Sequence, residues 1–129
     1  MDGRFSGNTQ FVGENIQFNW EKGGEKRRLK MMACIDDDNS GKEILLMLFE
    51  ENSLVGTCRA KTSDNEGNRS CNLCNHNLEI RNLSSVTVIN YLPEDKIVVL
   101  RLFGRCPECS VDKVNILLCR DIDISSFNQ

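Results

Sequence analysis

This chain of 129 residues contains only one histidine and one tyrosine. Histidine is the side chain most often used as a general acid or base, and no motif of an activated nucleophile accompanies the one present. The acidic residues fall mostly in predicted turns. We therefore predict that the protein is not an enzyme. A β-rich enzyme whose active site is not evident from the sequence is the last of three functional alternatives, after a protein-interaction module and a nucleic-acid-binding protein.

Long apolar segments are also missing. No apolar run approaches the roughly 18 residues that a membrane-spanning helix needs, and the longest, residues 44–49, has the length of a strand. Residues 1–19 contain no apolar segment of a secretory signal. If the chain begins at its natural start, we expect a cytoplasmic or nuclear protein with no membrane partner. Thiols stay reduced there, so the seven cysteines are expected to be metal ligands and core residues before disulfides.

The chain has no excess of positive charge. It carries 16 Lys and Arg against 19 Asp and Glu, a formal net charge of −3. Proteins whose affinity rests on the phosphate backbone of nucleic acids usually carry an excess of Lys and Arg. The charge balance therefore argues against nucleic-acid binding. The length of 129 residues fits one domain.

Four of the seven cysteines form two pairs, Cys-Asn-Leu-Cys at residues 71–74 and Cys-Pro-Glu-Cys at residues 106–109, with 31 residues between them. In such a zinc knuckle, two intervening residues let the backbone wrap the cation, so that both thiolates reach about 2.3 Å from the metal. Two knuckles supply four sulfur ligands in a closed tetrahedron. We therefore predict one structural Zn²⁺ ion on Cys71, Cys74, Cys106 and Cys109.

Other interpretations of these cysteines stay open: a redox motif, disulfides, or thiols without a ligand. A redox role for Cys106 and Cys109 leaves the first pair unexplained, and Pro107 with its predicted flanking strands excludes the helix that such a motif needs. His76 follows the first knuckle by two residues. As a ligand it would have to displace a cysteine, so we predict a surface position or one beside the ligands.

The knuckle spacing exceeds the roughly 15–20 residues of a compact zinc ribbon. It is similar to that of the papillomavirus early proteins, whose second knuckle also has the pattern Cys-Pro-x-Cys. The likeness covers only residues 71–109. Those proteins carry a helix between the knuckles, where this chain has β-branched residues typical of strands, and their Leu-x-Cys-x-Glu motif is missing. The sequence therefore does not place the chain in that family.

Residues 15–30 predict a β-hairpin. Residues 15–22 alternate between apolar and polar side chains, as a half-buried strand does, and Gly23-Gly24 suits a two-residue turn. Closing the hairpin there gives a register in which the numbers of facing residues sum to 47. Opposite-charge, apolar and cation–aromatic pairs all agree with it: Lys22 with Glu25, Glu21 with Lys26, Phe18 with Leu29, Ile16 with Met31, and Trp20 with Arg27.

A polar turn is predicted at residues 36–42. Its opening, Asp36-Asp37-Asp38, imitates a calcium loop, but Met47 stands at the twelfth position, where a bidentate Glu is required. Residues 43–49 carry apolar side chains on both faces and predict a strand, with a short helix over 41–52 as the alternative. A further strand is predicted at 53–61, with Gly56 marking a bulge.

The predicted fold is all-β: a β-meander and hairpin sheet packed on a zinc-stapled, zinc-ribbon-like β-unit. Residues 1–14 are predicted to be a flexible arm and 15–129 a single zinc-stabilised domain, made of a meander (15–61), a linker (62–70) and a zinc-knuckle half (71–124). Strands are predicted at 78–81, 85–91, 96–103 and 114–120, with a tight turn at 93–95. Cys34, Cys58 and Cys119 fall inside apolar strands and are predicted to pack in the core.

The basic segment at residues 26–30 occupies the second strand of the hairpin. Tryptophan and arginine are enriched among residues that dominate binding energy. The candidate partner-binding residues are therefore Trp20, Lys26, Arg27, Arg28 and Lys30. The alternative is a solvated strand paired with Glu21 and Glu25, with Trp20 completing the core.

Together these features predict a noncatalytic zinc-stabilised protein-interaction module, an adaptor or regulatory protein with a protein partner. The acidic balance, the closed metal site and the missing catalytic set are the reasons. The alternative is a zinc-ribbon-like nucleic-acid-binding protein that uses the basic strand together with Arg59, Lys61 and Arg69.

Overall fold

The structure is a computed structural model that describes residues 9–11, 16–22, 24–38, 41–60 and 80–128. These residues form antiparallel sheets and two short 3-10 helices, so the predicted all-β class is confirmed. The first sheet contains β1 (Thr9–Phe11), β2 (Ile16–Lys22), β3 (Glu25–Asp38), β4 (Gly41–Glu50) and β5 (Ser53–Arg59). The second contains β6 (Leu83–Leu92), β7 (Ile97–Arg105) and β8 (Asp112–Cys119).

The β2–β3 hairpin has the predicted register. Ile16 faces Met31, Trp20 faces Arg27, and every pair between them keeps the sum of 47. Gly24 has a φ of 81°, the left-handed conformation that the Gly-Gly turn was expected to need. Local sequence is sufficient here because the turn and the cross-strand pairs favour the same register.

The turn predicted at residues 36–42 is wrong in extent, because strand pairing continues through most of it. Asp36 pairs with Glu43 and Asp38 with Gly41, so only residues 39–40 separate β3 from β4. Two like charges face each other at the Asp36–Glu43 position, and such a pair is unfavourable by itself. The guanidinium of Arg59 in β5 forms ion pairs with both carboxylates, which offsets their repulsion.

Residues 41–50 form a strand, so the helical alternative for 41–52 is wrong. The β4 backbone pairs with β3 on one side and with β5 on the other. Its side chains are buried on both faces, as predicted: Ile44 and Leu46 face the core, and Met47 on the opposite face has 0% exposure. Pairing on both edges overrides the helical preference of leucine and methionine.

The predicted bulge next to Gly56 is confirmed. Leu48 pairs with Gly56 and Phe49 with Leu54, which leaves Val55 as the additional residue. Gly56 is also needed for space, because a Cβ there would lie 2.9 Å from the Cβ of Phe127.

The second sheet has the order β6-β7-β8, and its turn at residues 93–95 lies where it was predicted. The strand predicted at 78–81 is wrong for the residues that the structure describes, since Ile80–Asn82 form a 3-10 helix. Ile80 packs against the core from this short helix. A short segment with asparagine at its end favours a turn over a strand that lacks a pairing partner.

One hydrophobic core lies between the two sheets. Met31, Ile44 and Leu46 from the first sheet and Leu100 and Leu117 from the second have 0% exposure and belong to one cluster. The amino-terminal hairpin and the carboxy-terminal strands therefore bury their apolar faces against each other.

Within the predicted arm at 1–14, the structure describes only Thr9–Phe11, which form β1 and pair with β3 between Cys34 and Asp36. These three residues form a strand because the edge of β3 beyond β2 offers them backbone partners. The linker at 62–70 lies outside the described residues. No helix long and apolar enough to cross a membrane occurs in the described part of the chain.

Candidate functional site

The second Cys-x-x-Cys pair forms a tight turn between β7 and β8. The Cys106 N–H donates to the Val111 carbonyl at 3.0 Å, and the Ser110 N–H donates to the Cys106 carbonyl at 2.8 Å. Ser110 has a φ of 58°, which turns the chain back toward β8. Cys106 is fully buried, and Cys109 packs against it in a cluster separate from the main core. The turn therefore holds both cysteines of this pair side by side.

The β6–β7 hairpin determines what lies near this turn. Leu83, at the start of β6, pairs with Gly104, two residues before Cys106. The carbonyl oxygen of Asn82 approaches so closely that a Cβ at Gly104 would lie 2.5 Å from it. The chain entering β6 thus crosses the end of β7 at backbone contact. Only a residue without a side chain permits this approach.

Cys71 and Cys74 lie outside the described residues, as does His76. Eight residues lie between Cys74 and Leu83, and a chain of that length spans up to about 30 Å when extended. Among the residues that the structure describes, no group of three or more His, Cys, Asp or Glu side chains could hold a metal ion. The described half of the predicted zinc site consists of Cys106 and Cys109.

The three remaining cysteines lie in strands, as predicted. Cys34 in β3 and Cys119 in β8 are buried, whereas Cys58 in β5 is partly buried, with its Sγ 3.8 Å from the Oγ of Ser126. Burial raises the pKa of the Cys34 thiol to about 12, and Asp36 adds to the rise. Burial likewise raises the pKa of Cys119 to about 11. Both thiols are therefore protonated packing groups at neutral pH.

The five candidate partner-binding residues do not share one surface. Trp20 and Arg27 face each other on the side of the hairpin that carries Phe18 and Leu29 toward the core. Lys26, Arg28 and Lys30 alternate with Arg27 along β3 and point to the opposite face. The structure thus divides the predicted set into a Trp20–Arg27 pair and a basic outer face.

The Trp20–Arg27 pair is held by a third residue, Glu50 of β4. Arg27 donates from its Nε and from one terminal nitrogen to the two carboxylate oxygens of Glu50, at 2.9 and 2.7 Å. Its guanidinium carbon lies 5.4 Å from the Trp20 ring centroid. The hydrogen bond to Glu50 raises the pKa of Arg27, and the same bond lowers that of Glu50. Both charges therefore stay in place at neutral pH.

Trp20 combines the two roles that the sequence left open. It is partly exposed, and it packs against the rim of the core. Beside it runs a groove of about 190 Å³, lined by Trp20, Arg27, Leu29, Leu48, Val55, Ile124, Ser125 and Phe127. The ring is thus supported on one side and accessible on the other.

The basic outer face is tied to β2. Arg28 donates to the side-chain oxygens of Gln17 at 3.2 Å and Asn19 at 2.9 Å. Lys26 faces Glu21 across the ladder. The nucleic-acid alternative also uses Arg59. This residue instead forms ion pairs with Asp36 and Glu43 on another part of the sheet. Lys61 and Arg69 lie outside the described residues.

One surface was not predicted: the outer face of the second sheet, which exposes large apolar side chains. Val114 and Ile116 of β8 are 57% and 41% exposed, and Phe103 of β7 is 37% exposed. The signal was present in the sequence, because β7 and β8 carry apolar residues at both odd and even positions. A strand that buries only one of its faces needs apolar residues only at alternate positions.

Comparisons of the chain with protein-family models, with curated proteins and with solved structures found no match. Function is therefore inferred from the geometry of these surfaces alone.

Proposed function

We propose that this chain is a noncatalytic protein-interaction module, an adaptor or regulatory protein, stabilised by one structural Zn²⁺ ion on Cys71, Cys74, Cys106 and Cys109. The observation that carries the metal is the pairing of Leu83 with Gly104. It brings the start of β6, which follows the first Cys-x-x-Cys pair, beside the residue two positions before the second pair.

The β6–β7 hairpin explains how one ion reaches both pairs. In an antiparallel hairpin, the residues before the first strand and those after the second leave the sheet at the same end. Cys106 and Cys109 already lie together in their turn, and only eight residues connect Cys74 to Leu83 at the start of β6. Four thiolates then close a tetrahedron, and the energy of metal binding becomes folding energy.

Metal analysis tests this part. The reduced full chain should contain one zinc ion per molecule, and Cys106→Ser should lose it and become molten or insoluble. Cys58→Ser is the matched control, because Cys58 is a partly buried cysteine outside both pairs. Titration of the wild-type chain with a chelator should release zinc and unfold the protein together. A properly folded, reduced chain without zinc would contradict the proposal.

The interaction surface that we propose is the projecting tip of the β2–β3 hairpin. β4 ends at Glu50, opposite Leu29, so residues 25–28 of β3 extend beyond it. Among the described strands, only β2 pairs with this part of β3. Glu50 binds the Arg27 guanidinium through two hydrogen bonds and Arg27 lies over the Trp20 ring; this arrangement lowers the entropy lost when the pair contacts a partner. The basic outer face favours a partner with acidic groups.

Two sets of variants separate the faces of the hairpin. Trp20→Ala with Arg27→Ala should abolish partner capture while leaving thermal stability nearly intact. Lys26→Glu with Arg28→Glu tests the outer face, and Arg105→Glu is a control cation on the second sheet. If Trp20→Ala alone unfolds the domain, the residue belongs to the core and the inner surface is excluded. If all variants fold and still bind, the partner site lies elsewhere, and the tips of the two knuckles, Asn72-Leu73 and Pro107-Glu108, become the next candidates.

The nucleic-acid alternative is weaker because Arg59 is engaged by two carboxylates away from the hairpin. It also conflicts with the net charge of −3. Nucleic acid that copurifies and dissociates steeply with salt would favour it over a protein partner.

A further inference from the structure

The tip of the β2–β3 hairpin has an open backbone edge on the side of β3 that faces away from β2. β4 covers this side only as far as Glu50, which lies opposite Leu29. Among the described residues, no strand pairs with 25–28 on this side, and no backbone hydrogen bond from a loop or turn reaches them. An added strand in line with β4 would therefore find backbone groups to pair with.

The turn of the hairpin determines which residues point their backbone groups to this edge. In an antiparallel strand, the N–H and C=O of one residue point to the same side, and successive residues alternate between the two sides. The two-residue turn closes on Lys22 and Glu25, which is the hydrogen-bonded pair of such a hairpin. Glu25 thus bonds to β2, whereas Lys26 and Arg28 present their N–H and C=O groups to the open edge.

The other end of β3 gives the same alternation. The Ile44 carbonyl in β4 accepts from the Ala60 N–H at 2.9 Å, so Ile44 points its backbone groups toward β5. Ile44 lies opposite Ile35 of β3. Odd-numbered residues of β3 therefore do not bond to β4, and even-numbered ones do. The pairing of β3 has no register shift on either side, so this parity holds through the tip.

The outer face of the hairpin is positively charged beside the open edge. Lys26, Arg28 and Lys30 lie on it, and none of them forms an ion pair with a described residue. The hydrogen bonds of Arg28 go to neutral amide oxygens of β2. Glu21, opposite Lys26, is the one carboxylate on this face of the described hairpin. Edge pairing with a second copy would bring cations together, so the charges favour a segment with acidic side chains.

The inner face below the same edge is apolar. A residue paired with Arg27 would point to this face, which carries the partly exposed Trp20 ring and the groove of about 190 Å³ beside it. Sites for small-molecule ligands usually measure about 300–1,000 Å³. The groove is smaller and suits a single apolar side chain.

We propose that the hairpin tip binds an extended segment of a partner protein as an added antiparallel strand beside residues 26–28 of β3. The segment carries acidic side chains opposite Lys26 and Arg28, and an apolar side chain opposite Arg27. Antiparallel pairing is the arrangement of every described strand pair. The inference rests on the proposed function, because it specifies how the hairpin surface recognises its partner.

Two substitutions at Lys26 separate backbone pairing from charge. Lys26→Gln removes the charge and keeps the N–H, whereas Lys26→Pro removes both. Proline is tolerated there because this N–H points away from β2. The probe is the peptide Glu-Val-Glu-Leu-Glu, blocked at both ends and titrated into the full-length chain.

The wild type should bind this peptide with a Kd on the order of 100 µM, as expected for a short segment that must be ordered on binding. Lys26→Gln should weaken binding about threefold, and Lys26→Pro about tenfold beyond that. Circular dichroism checks that both variants fold. Equal affinities of the two folded variants would overturn the strand addition.

N-methylated peptides test the pairing on the wild-type chain and do not depend on a variant that folds. In the proposed register, the N–H groups of the glutamates opposite Lys26 and Arg28 face β3, and those of valine and leucine face away. Methylation of the glutamate nitrogens should abolish binding, whereas methylation of the valine and leucine nitrogens should change the Kd by less than about twofold. The reverse pattern would contradict antiparallel pairing, and a wild type that does not bind the unmodified peptide at about 1 mM would overturn the proposal.

Failure of this inference and failure of the proposed function give different results. If Trp20→Ala with Arg27→Ala abolishes partner capture while Lys26→Pro acts no more strongly than Lys26→Gln, the hairpin binds through its side chains. Only the strand addition is then overturned. If partner capture survives all of these variants, the partner site lies away from the hairpin and both proposals fail.

Discussion

The ring of Phe18 in β2 meets the ring of Tyr91 in β6 edge to face, with centroids 5.2 Å apart and planes inclined at 68°. This contact joins the amino-terminal hairpin to the second sheet across the core. Burial raises the pKa of Tyr91, and the nearby Asp123 adds to the rise, whereas a hydrogen bond with the backbone of Ile124 opposes it. Tyr91 thus links the hairpin, the second sheet and the carboxy-terminal segment.

Replacing both rings should reveal this link as a coupling energy. We expect Phe18→Leu and Tyr91→Leu to be non-additive by about 0.5–1.5 kcal/mol, the usual value for an aromatic pair. Urea unfolding of the two single variants and the double variant measures it. Phe103→Leu with Tyr91→Leu is the control pair, because Phe103 lies on the outer face of the second sheet. Additive effects for Phe18 and Tyr91 would show that their contact contributes only buried area.

Gly104→Ala should destabilise the fold by about 1–3 kcal/mol, because the new methyl group must displace the Asn82 carbonyl and lies 2.5 Å from it without relaxation. The same displacement moves the chain that leads back to Cys74, so we expect faster release of zinc to a chelator. Arg105→Ala, at the neighbouring position, is the control. If Gly104→Ala has wild-type stability, the close crossing of β6 over β7 does not exist in solution.

Cys34 and Cys119 should resist alkylation at pH 8 until the protein unfolds. Their raised pKa values, about 12 and 11, leave only ~0.01% and ~0.1% thiolate at that pH, and burial blocks access as well. Labelling with iodoacetamide in the absence and presence of urea, mapped by mass spectrometry, measures this. Rapid labelling of either residue in the folded chain would contradict the burial.

The same two thiols predict a loss of stability at high pH. Each pKa is higher in the folded chain than its ordinary value of 9.0, so the folded state retains these protons while the unfolded state releases them. Their contribution is fully present below pH 9 and is lost as the pH rises toward 11 for Cys119 and 12 for Cys34. Cys34→Ala with Cys119→Ala should flatten this part of the profile measured by urea unfolding. If the variant loses as much stability at high pH as the wild type does, groups other than these two thiols cause the loss.

Removing all three strand cysteines should leave zinc stoichiometry unchanged. Cys34→Ala, Cys58→Ala and Cys119→Ala together should cost on the order of 1–3 kcal/mol per buried site through lost packing, with Cys58 at the low end because it is only partly buried. Metal analysis and thermal unfolding of the triple variant check both statements. A metal equivalent that disappears with these cysteines would reveal a second site.

The β2–β3 hairpin and the strand positions of the second sheet could be predicted because their causes are local. A Gly-Gly turn and five matching cross-strand pairs favour one register whatever the rest of the chain does. The burial of both faces of β4 was equally visible, since apolar side chains occupy consecutive positions. The paired Cys-x-x-Cys spacing is local in the same sense, and its zinc ion stays a prediction.

Tertiary structure alone decided the features whose causes lie far apart in the chain. Arg59 reaches across the sheet to Asp36 and Glu43, so residues that resemble a polar turn continue as paired strands. Ile80–Asn82 are a 3-10 helix because Ile80 packs on the core and Asn82 crosses over Gly104. The faces presented by Trp20 and the basic residues, and the exposure of Val114 and Ile116, depend on how two sheets pack. The sequence determined local pairing, whereas contacts between distant residues decided which surfaces remain exposed.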